Sequence, residues 1–251
     1  MSRLGPKQPR VAAIVEVRMT SSRLPGKHLL TADGKAMLGH LVARLKAVPT
    51  IAEIVIATTE NQTDDVLVEF SKRENVQVFR GSEEDVMGRV LAAAQEFKAE
   101  VICEVTGDCP IIDPELLEQL IQTFLGNKAV YVNNAKLGLP DGMGAQVFTV
   151  DALEKSASMT NAPLDREHVT QHIIRNPDLF PPMYLAPLRS HYWPRLGLTL
   201  DEKADYELLK LIIEHFGTDK PLFGCQEVLD LLRVEPEWVA INRDVVRKGV
   251  A

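Results

Sequence analysis

Residues 11–27 read Val-Ala-Ala-Ile-Val-Glu-Val-Arg-Met-Thr-Ser-Ser-Arg-Leu-Pro-Gly-Lys. A nearly continuous apolar run, Val11 to Val17, opens onto three cations, three hydroxyls and one glycine. Such a run suits a strand buried on both faces of a parallel sheet. In an open α/β sheet the ligand crevice lies at the carboxyl ends of the strands, so Arg18, Ser21, Ser22, Arg23 and Lys27 are expected to converge where a ligand sits. There, hydroxyls and backbone N–H groups can cradle phosphate oxygens while the cations neutralise them, a composition that suits a triphosphate. A solvated basic loop is the plain alternative, which the position behind a first strand disfavours. The loop is neither Gly-x-x-x-x-Gly-Lys-Ser/Thr nor Gly-x-Gly-x-x-Gly, which weakens ATPase and dehydrogenase readings.

Working outward, Met37 to Val48 sets Leu38, Leu41, Val42 and Leu45 at helical spacing, and Glu53 to Ala57 returns to strand character. A helix near Asp64 to Arg73, a strand at Val76 to Phe79, a helix from Asp85 to Phe97 and a strand at Val101 to Val105 continue the alternation. Pro114 opens a further helix, where its missing N–H costs nothing. After Gly126 the pattern changes. Strands are expected at Ala129 to Val132, Gln146 to Val150 and Gly197 to Leu200, so the sheet becomes mixed. The proline-rich stretch from Pro177 to Pro194 suits only irregular or edge-strand backbone. Late helices follow Asp201 and Cys225. The expected fold is α/β, with a Rossmann-like, mostly parallel but mixed sheet flanked by helices, in one domain over 1–251 behind a polar leader over 1–10.

The chain has 251 residues, 45 % apolar and 25 % charged, which is ordinary for a globular protein. A net charge of -7 argues against a general nucleic-acid binder, which needs a basic face. Cys103, Cys109 and Cys225 form no CxxC pair, so neither a disulfide framework nor a zinc site is indicated, and a reducing, cytoplasmic setting is expected. No stretch approaches membrane-spanning length, and the leader lacks the apolar run of a secretory signal.

The loop 18–27, Thr58-Thr59, the run Arg80-Gly81-Ser82-Glu83-Glu84-Asp85-Val86 with Arg89, and Thr106-Gly107-Asp108-Cys109-Pro110 with Asp113-Pro114 occur in that order. Pro140-Asp141-Gly142, Arg166-Glu167-His168-Val169-Thr170 and Leu198-Thr199-Leu200-Asp201 follow. From about Ala12 to the end, this series resembles the cytidylyltransferases related to acylneuraminate and 3-deoxy-octulosonate activators, in their spore-coat-polysaccharide-type branch. The resemblance implies a nucleotide-diphospho-sugar-transferase-like fold, CTP as donor, Mg²⁺ as cofactor, a small anionic acceptor and a homodimer. Asp108 follows a strand at the edge where the basic loop lies, and the resemblance implies that Asp201 meets it in space to hold Mg²⁺. Mg²⁺ takes one or two carboxylates plus phosphate oxygens and waters. An aspartate placed like Asp108 is, read alone, more often a helix cap or turn residue, and Asp201 fits a helix N-cap.

The resemblance also assigns Thr58, Arg80, Gly81, Ser82, Asp85, Arg89 and Thr106 to the nucleotide. Taken alone, Asp85 fits a helix cap and Arg89 a partner of Glu83 or Asp85 on a solvated face. Arg18 and Lys27 are expected to stabilise departing pyrophosphate, with Arg23 fixing the triphosphate. Residues of about 126–200, among them Asn133, Asn134, Asp141, Gln146, Arg166, Glu167 and His168, fall where the family binds its acceptor. Many relatives continue after Pro140-Asp141-Gly142 with Leu-Asp-Val-Glu, whereas this chain has Met143-Gly144-Ala145-Gln146. Gly144 is therefore expected to leave room in a neutral acceptor wall. A nucleotide-sugar-dependent glycosyltransferase and a non-catalytic nucleotide-binding regulator are the rivals. The former commonly carries Asp-x-Asp, absent between Val101 and Pro114, and the latter has no need of both Asp108 and Asp201.

Overall fold

The computed structural model describes residues 8–127 and 129–247, so most of the expected polar leader lies outside the described residues. Strand β1 (Val11–Glu16) is followed by a hairpin, β2 (Thr31–Ala32) and β3 (Lys35–Ala36), and by helix α1 (Met37–Lys46). Then come β4 (Ile51–Thr59), α2 (Asp65–Glu74), β5 (Gln77–Gly81), α3 (Val86–Glu96), β6 (Val101–Thr106) and α4 (Pro114–Gly126). The second half holds β7 (Tyr131–Asn133), β8 (Gln146–Thr149), α5 (Val150–Met159), α6 (Pro163–Glu167), α7 (Gln171–Arg175) and β9 (Pro182–Tyr184). Helices α8 (Lys203–Phe216), α9 (Cys225–Val234) and α10 (Pro236–Ile241) complete it.

The main sheet has seven strands in the order β5-β4-β1-β6-β8-β7-β9. Strands β1, β4, β5 and β6 pair in parallel, and β8 runs antiparallel to both β6 and β7, which makes the sheet mixed. Burial explains the parallel half. Val11 to Val15 are wholly buried because helices cover both sides of the central strands. Val11, Ala13 and Val15 pack with Leu38, Leu41 and Leu45 of α1 and with α4 on one face, while Ala12 and Ile14 pack with Met87 and Val90 of α3 on the other. Proline confines β9 to the edge, with Pro182 as its first residue.

A third apolar cluster joins Leu196, Leu198 and Leu200 to Leu208, Leu209 and Ile212 of α8 and to Val228 and Leu229 of α9. The expected strand Gly197 to Leu200 is not formed. Among the described residues its one ladder contact is an isolated parallel bridge between Asp141 and Gly197. Instead, Leu198 donates its N–H to the Asp141 carbonyl and Leu200 to the Asp108 carbonyl, each at 2.8 Å. Arg44 of α1, 1 % exposed, anchors this side by donating to the carbonyls of Ile112, Pro221 and Phe223 at 3.3, 3.1 and 2.8 Å. Its guanidinium lies 4.1 Å from the Phe223 ring centre, and burial lowers its pKa to about 10. Among the described residues no helix is long and apolar enough to cross a membrane.

Candidate active site

The strand order reverses at β1: the chain moves outward through β4 and β5, then returns to lay β6 on the other side of β1. Ligands of open α/β sheets bind outside the carboxyl ends of the strands at such a switch point. There, Glu16 of β1 pairs with Thr106 of β6, and Gly107 donates its N–H to the Glu16 carbonyl at 3.0 Å. A Cβ on Gly107 would meet Val17 Cγ2 at 2.8 Å and the Glu16 carbonyl oxygen and His28 Cδ2 at 3.1 Å, so this close approach needs glycine. Gly26, at φ 71°, turns the 18–27 loop back by donating to the Met19 carbonyl at 3.1 Å. Lys27 follows and is buried.

Lys27 Nζ lies 2.6 Å from Asp108 Oδ1 and 3.5 Å from Asp201 Oδ1. His28 Nε2 lies 2.9 Å from Asp108 Oδ1, and its Nδ1 is buried with no partner among the described residues. Burial opposes ionisation of Asp108, yet the His28 hydrogen bond and the Lys27 charge together hold its pKa below the ordinary value. Arg23 Nη2 donates to Asp201 Oδ1 at 2.6 Å, and Thr199 Oγ1 to Asp201 Oδ2 at 3.2 Å. Arg247 approaches Asp201 Oδ2 at 3.8 Å and donates to Asp205 at 2.8 Å. The N-cap of α8 is Glu202, one residue beyond the cap expected at Asp201; Asp205 completes the capping box, leaving Asp201 to the site.

Asp108 and Asp201 thus share one ammonium. A cation suits the space between them, and Asp108 Oδ2 has no hydrogen-bond partner among the described residues. No set of three or more His, Cys, Asp or Glu side chains converges among the described residues. Two hard carboxylates fit Mg²⁺, which takes phosphate oxygens and water as its remaining ligands, and His28 Nε2 is already engaged by Asp108 Oδ1. Asp141 is a neighbour, its pKa raised by burial, and Thr199 Oγ1 lies 3.4 Å from its Oδ2.

On the β4–β5 side most of the expected nucleotide residues hold one another. The hydroxyls of Thr58 and Thr59 both donate to Asp64 Oδ2 at 2.7 Å, and Met19 N–H donates to its Oδ1 at 2.9 Å. Asp64 thereby ties the end of β4 to the 18–27 loop. Arg80 donates to the carbonyls of Thr59 and Asn61 at 2.9 and 2.7 Å and pairs with Asp65. Glu83 accepts from Arg18 at 3.1 Å, Thr20 at 2.7 Å and Asn61 at 2.6 Å. Asp85 caps α3 by accepting from Gly88 N–H, and Ser82 Oγ accepts from Asp85 N–H. The solvated alternative for Arg89 fails: it is 4 % exposed and donates to the Ser82 carbonyl. A Cβ on Gly81 would crowd Arg89 at 3.2 Å. Thr106 is exposed, and its hydroxyl lies 3.2 Å from Cys109 Sγ, whose thiol burial pushes to about 12. Ser21 Oγ accepts from Leu24 N–H at 3.4 Å, while Ser22 is exposed.

The expected acceptor residues separate into two groups. Asn134 is buried and accepts from Ala145 N–H at 2.8 Å; Arg166 spans the carbonyls of Ala157 and Thr160 and pairs with Asp85 at 3.3 Å. Both brace the fold. Gln146 accepts from Thr170 Oγ1 at 2.7 Å and from the Tyr131 hydroxyl, while Glu167 and His168 are exposed. The room expected beside Gly144 is absent, because a Cβ there would lie 2.5 Å from Ala135 Cα and 2.9 Å from its backbone nitrogen. Sequence reasoning passed over His28, Asp64 and Arg247 as site residues, and paired Glu83 with Arg89, whereas Glu83 accepts from Arg18, Thr20 and Asn61. Only His28, beside Lys27, carried a local signal; Arg247 reaches the site through the C-terminal segment.

A family model described as cytidylyltransferase matches residues 12–222. An uncharacterized protein of Methanocaldococcus jannaschii is 35 % identical over 242 residues, 96 % of this chain and 97 % of that protein. The spore coat polysaccharide biosynthesis protein SpsF of Bacillus subtilis is 34 % identical over 230 residues, 89 % of this chain and 94 % of its own. The solved structure of a cytidylyltransferase from Leptospira borgpetersenii superposes with a TM-score of 0.87 at 31 % identity, covering 95 % of this chain and all of that one.

Proposed function

Since the chain belongs to the cytidylyltransferase family, we propose that it moves a cytidylyl group from CTP onto a small anionic acceptor, releasing pyrophosphate, in the cytoplasm and for cell-surface glycan or envelope synthesis. The observation that carries this reading is the Lys27 ammonium held between Asp108 and Asp201, 2.6 and 3.5 Å away, at the sheet's switch point. Mg²⁺ bound by Asp108 and Asp201 would supply charge neutralisation at the triphosphate. Lys27 would then turn from the carboxylates to the phosphate oxygens, and Arg18 would leave Glu83 for the β- and γ-phosphates.

Arg23, held at Asp201, orients the triphosphate, and the backbone of loop 18–27 lines it. The acceptor oxyanion is already ionised at neutral pH and needs no protein base; positioning and charge stabilisation suffice. Asp64 and Glu83 fix the loop that receives the nucleotide. We read the chain as one catalytic unit that works as a homodimer, with residues of about 126–200 holding the acceptor.

The test is a pyrophosphate-release screen with CTP, Mg²⁺ and a panel of nonulosonic acids, sugar and polyol phosphates and phosphonates. Pyrophosphate appearing with CTP and one acceptor supports the reading. Equal turnover with ATP or GTP overturns the choice of base. Transfer of a sugar from a CMP-sugar without pyrophosphate supports the glycosyltransferase instead.

A further inference from the structure

Beyond α10, segment 242–247 returns to the site, and it lies outside residues 12–222, the span that the family model matches. Asn242 anchors it. This residue is 5 % exposed, and its amide donates to the Gly197 carbonyl at 2.9 Å and to Asp205 Oδ1 at 2.8 Å. Val245 N–H donates to the Asn242 carbonyl at 3.2 Å, a turn that carries the next two residues to the Asp201 side of the site. The Val246 carbonyl accepts from Arg23 Nη1 at 3.3 Å, and the same guanidinium donates through Nη2 to Asp201 Oδ1. Arg247 Nη1 donates to Thr199 Oγ1 at 2.5 Å, and its Nη2 to Asp205 Oδ1 at 2.8 Å.

A guanidinium has donors only, so Thr199 Oγ1 must accept from Arg247, and its own proton is left for a carboxylate. Asp201 Oδ2 lies 3.2 Å from that oxygen and Asp141 Oδ2 3.4 Å. The other arm of the fork ends on Asp205, which is wholly buried and whose Oδ2 accepts the N–H groups of Asp201 and Glu202 at 3.1 and 2.9 Å. One side chain therefore holds Asp201 twice, at its carboxylate through Thr199 and at its backbone through Asp205. Arg247 Nη1 itself stays 3.8 Å from Asp201 Oδ2, too far for a hydrogen bond. The neighbouring backbone leaves space for this side chain alone: a Cβ on Gly197 would lie 1.8 Å from Arg247 Cζ and Nη2.

We propose that Arg247 is a positioning residue of the metal site, fixing the Asp201 carboxylate for a divalent cation through Thr199 and Asp205. The inference rests on the reading of Asp108 and Asp201 as the cation's ligands. Charge and position pull in opposite directions here. A positive group this near the site repels a cation, so its removal would tighten cation binding if charge were its only effect. Loss of a residue that orients a metal ligand instead weakens binding, typically about 10–100-fold. Lysine keeps the charge, but as a single point donor it does not reproduce the fork that reaches Thr199 and Asp205 together.

The test uses Mn²⁺, a hard cation that takes the same oxygen ligands, with the free ion followed by electron paramagnetic resonance in the presence and absence of CTP. Arg247→Ala is expected to raise the Mn²⁺ Kd roughly tenfold or more, and Arg247→Lys to fall between it and the wild type. Gly197→Ala displaces the guanidinium while keeping every charge, and is expected to act in the same direction; it serves if the first variant does not fold. Raising Mg²⁺ should restore the kcat of Arg247→Ala, which a merely unfolded fraction would not permit. Unchanged or tighter Mn²⁺ binding in the folded variants overturns the proposal, provided that Asp201→Asn loses binding in the same assay. Should Asp201→Asn bind Mn²⁺ like the wild type, the assignment of Asp201 as a ligand falls, and the proposal with it.

Discussion

The backbone N–H of Leu200 reaches the carbonyl oxygen of Asp108 at 2.8 Å, and this bond delivers Asp201 to the side of the site opposite β1. Lys27, from the loop after β1, then contacts both carboxylates. Three segments distant in sequence meet at one ammonium because a buried charge must be compensated.

Removing either carboxylate is therefore expected to abolish Mg²⁺-dependent turnover in a folded protein. Asp108→Asn and Asp201→Asn each remove a hard anionic oxygen. Lys27→Ala is expected to lower the rate roughly 10²–10³-fold, as loss of one donor at a developing charge does. Pyrophosphate release and a circular dichroism melt check each variant; near-normal activity in folded Asp108→Asn would remove that residue from the metal site.

Gly107 and Gly144 are expected to differ in what they disturb. A Cβ on Gly107 would press on Val17, Glu16 and His28, so Gly107→Ala should displace Asp108 and lower activity as well as Tm. A Cβ on Gly144 would strike the backbone of Ala135, so Gly144→Ala should lower the Tm while leaving the CTP KM unchanged. Overpacking of this kind costs about 1–3 kcal/mol. A Gly144→Ala protein that melts with the wild type would contradict the contact.

Glu104 sets a pH dependence with a definite sign. Burial, then the neighbouring Glu16, raise its folded pKa well above 4.5. A carboxyl raised on folding contributes stability below its unfolded pKa and loses it as pH rises through the folded one. Glu104→Gln escapes that loss. Its Tm relative to the wild type should therefore climb between pH 5 and pH 8; a constant difference across that range would mean that Glu104 is not the group titrating.

Arg44 holds α1 to the loops before α4 and α9. Truncation to alanine leaves the carbonyls of Ile112, Pro221 and Phe223 without their donor and empties the space over the Phe223 ring. The expected cost is at least about 1–3 kcal/mol, that of leaving a buried acceptor unsatisfied. Denaturant unfolding measures it. A loss below about 1 kcal/mol, the scale of one ordinary hydrogen bond, would show that this contact does not anchor the third cluster.

The sequence by itself determined the mixed α/β class, the parallel half of the sheet and the place of the 18–27 loop behind β1. Those features follow from local apolar runs and punctuation: Val11 to Val15 are buried whatever lies across from them, and Pro114 and Asp113 start α4 by chemistry confined to one turn. It also placed Asp108 at a strand end. Only the tertiary structure decided which polar side chains bond to one another and hold the fold. Thr58 serves Asp64, and Arg80 and Arg166 spend their donors on nearby carbonyls. Gly144 meets Ala135, and Glu104 of β6 lies opposite Gln146 of β8. Such assignments depend on strand register and on loops crossing between elements, where hydrogen-bond reach is about 3 Å, and periodicity along one segment carries no record of what lies across from it.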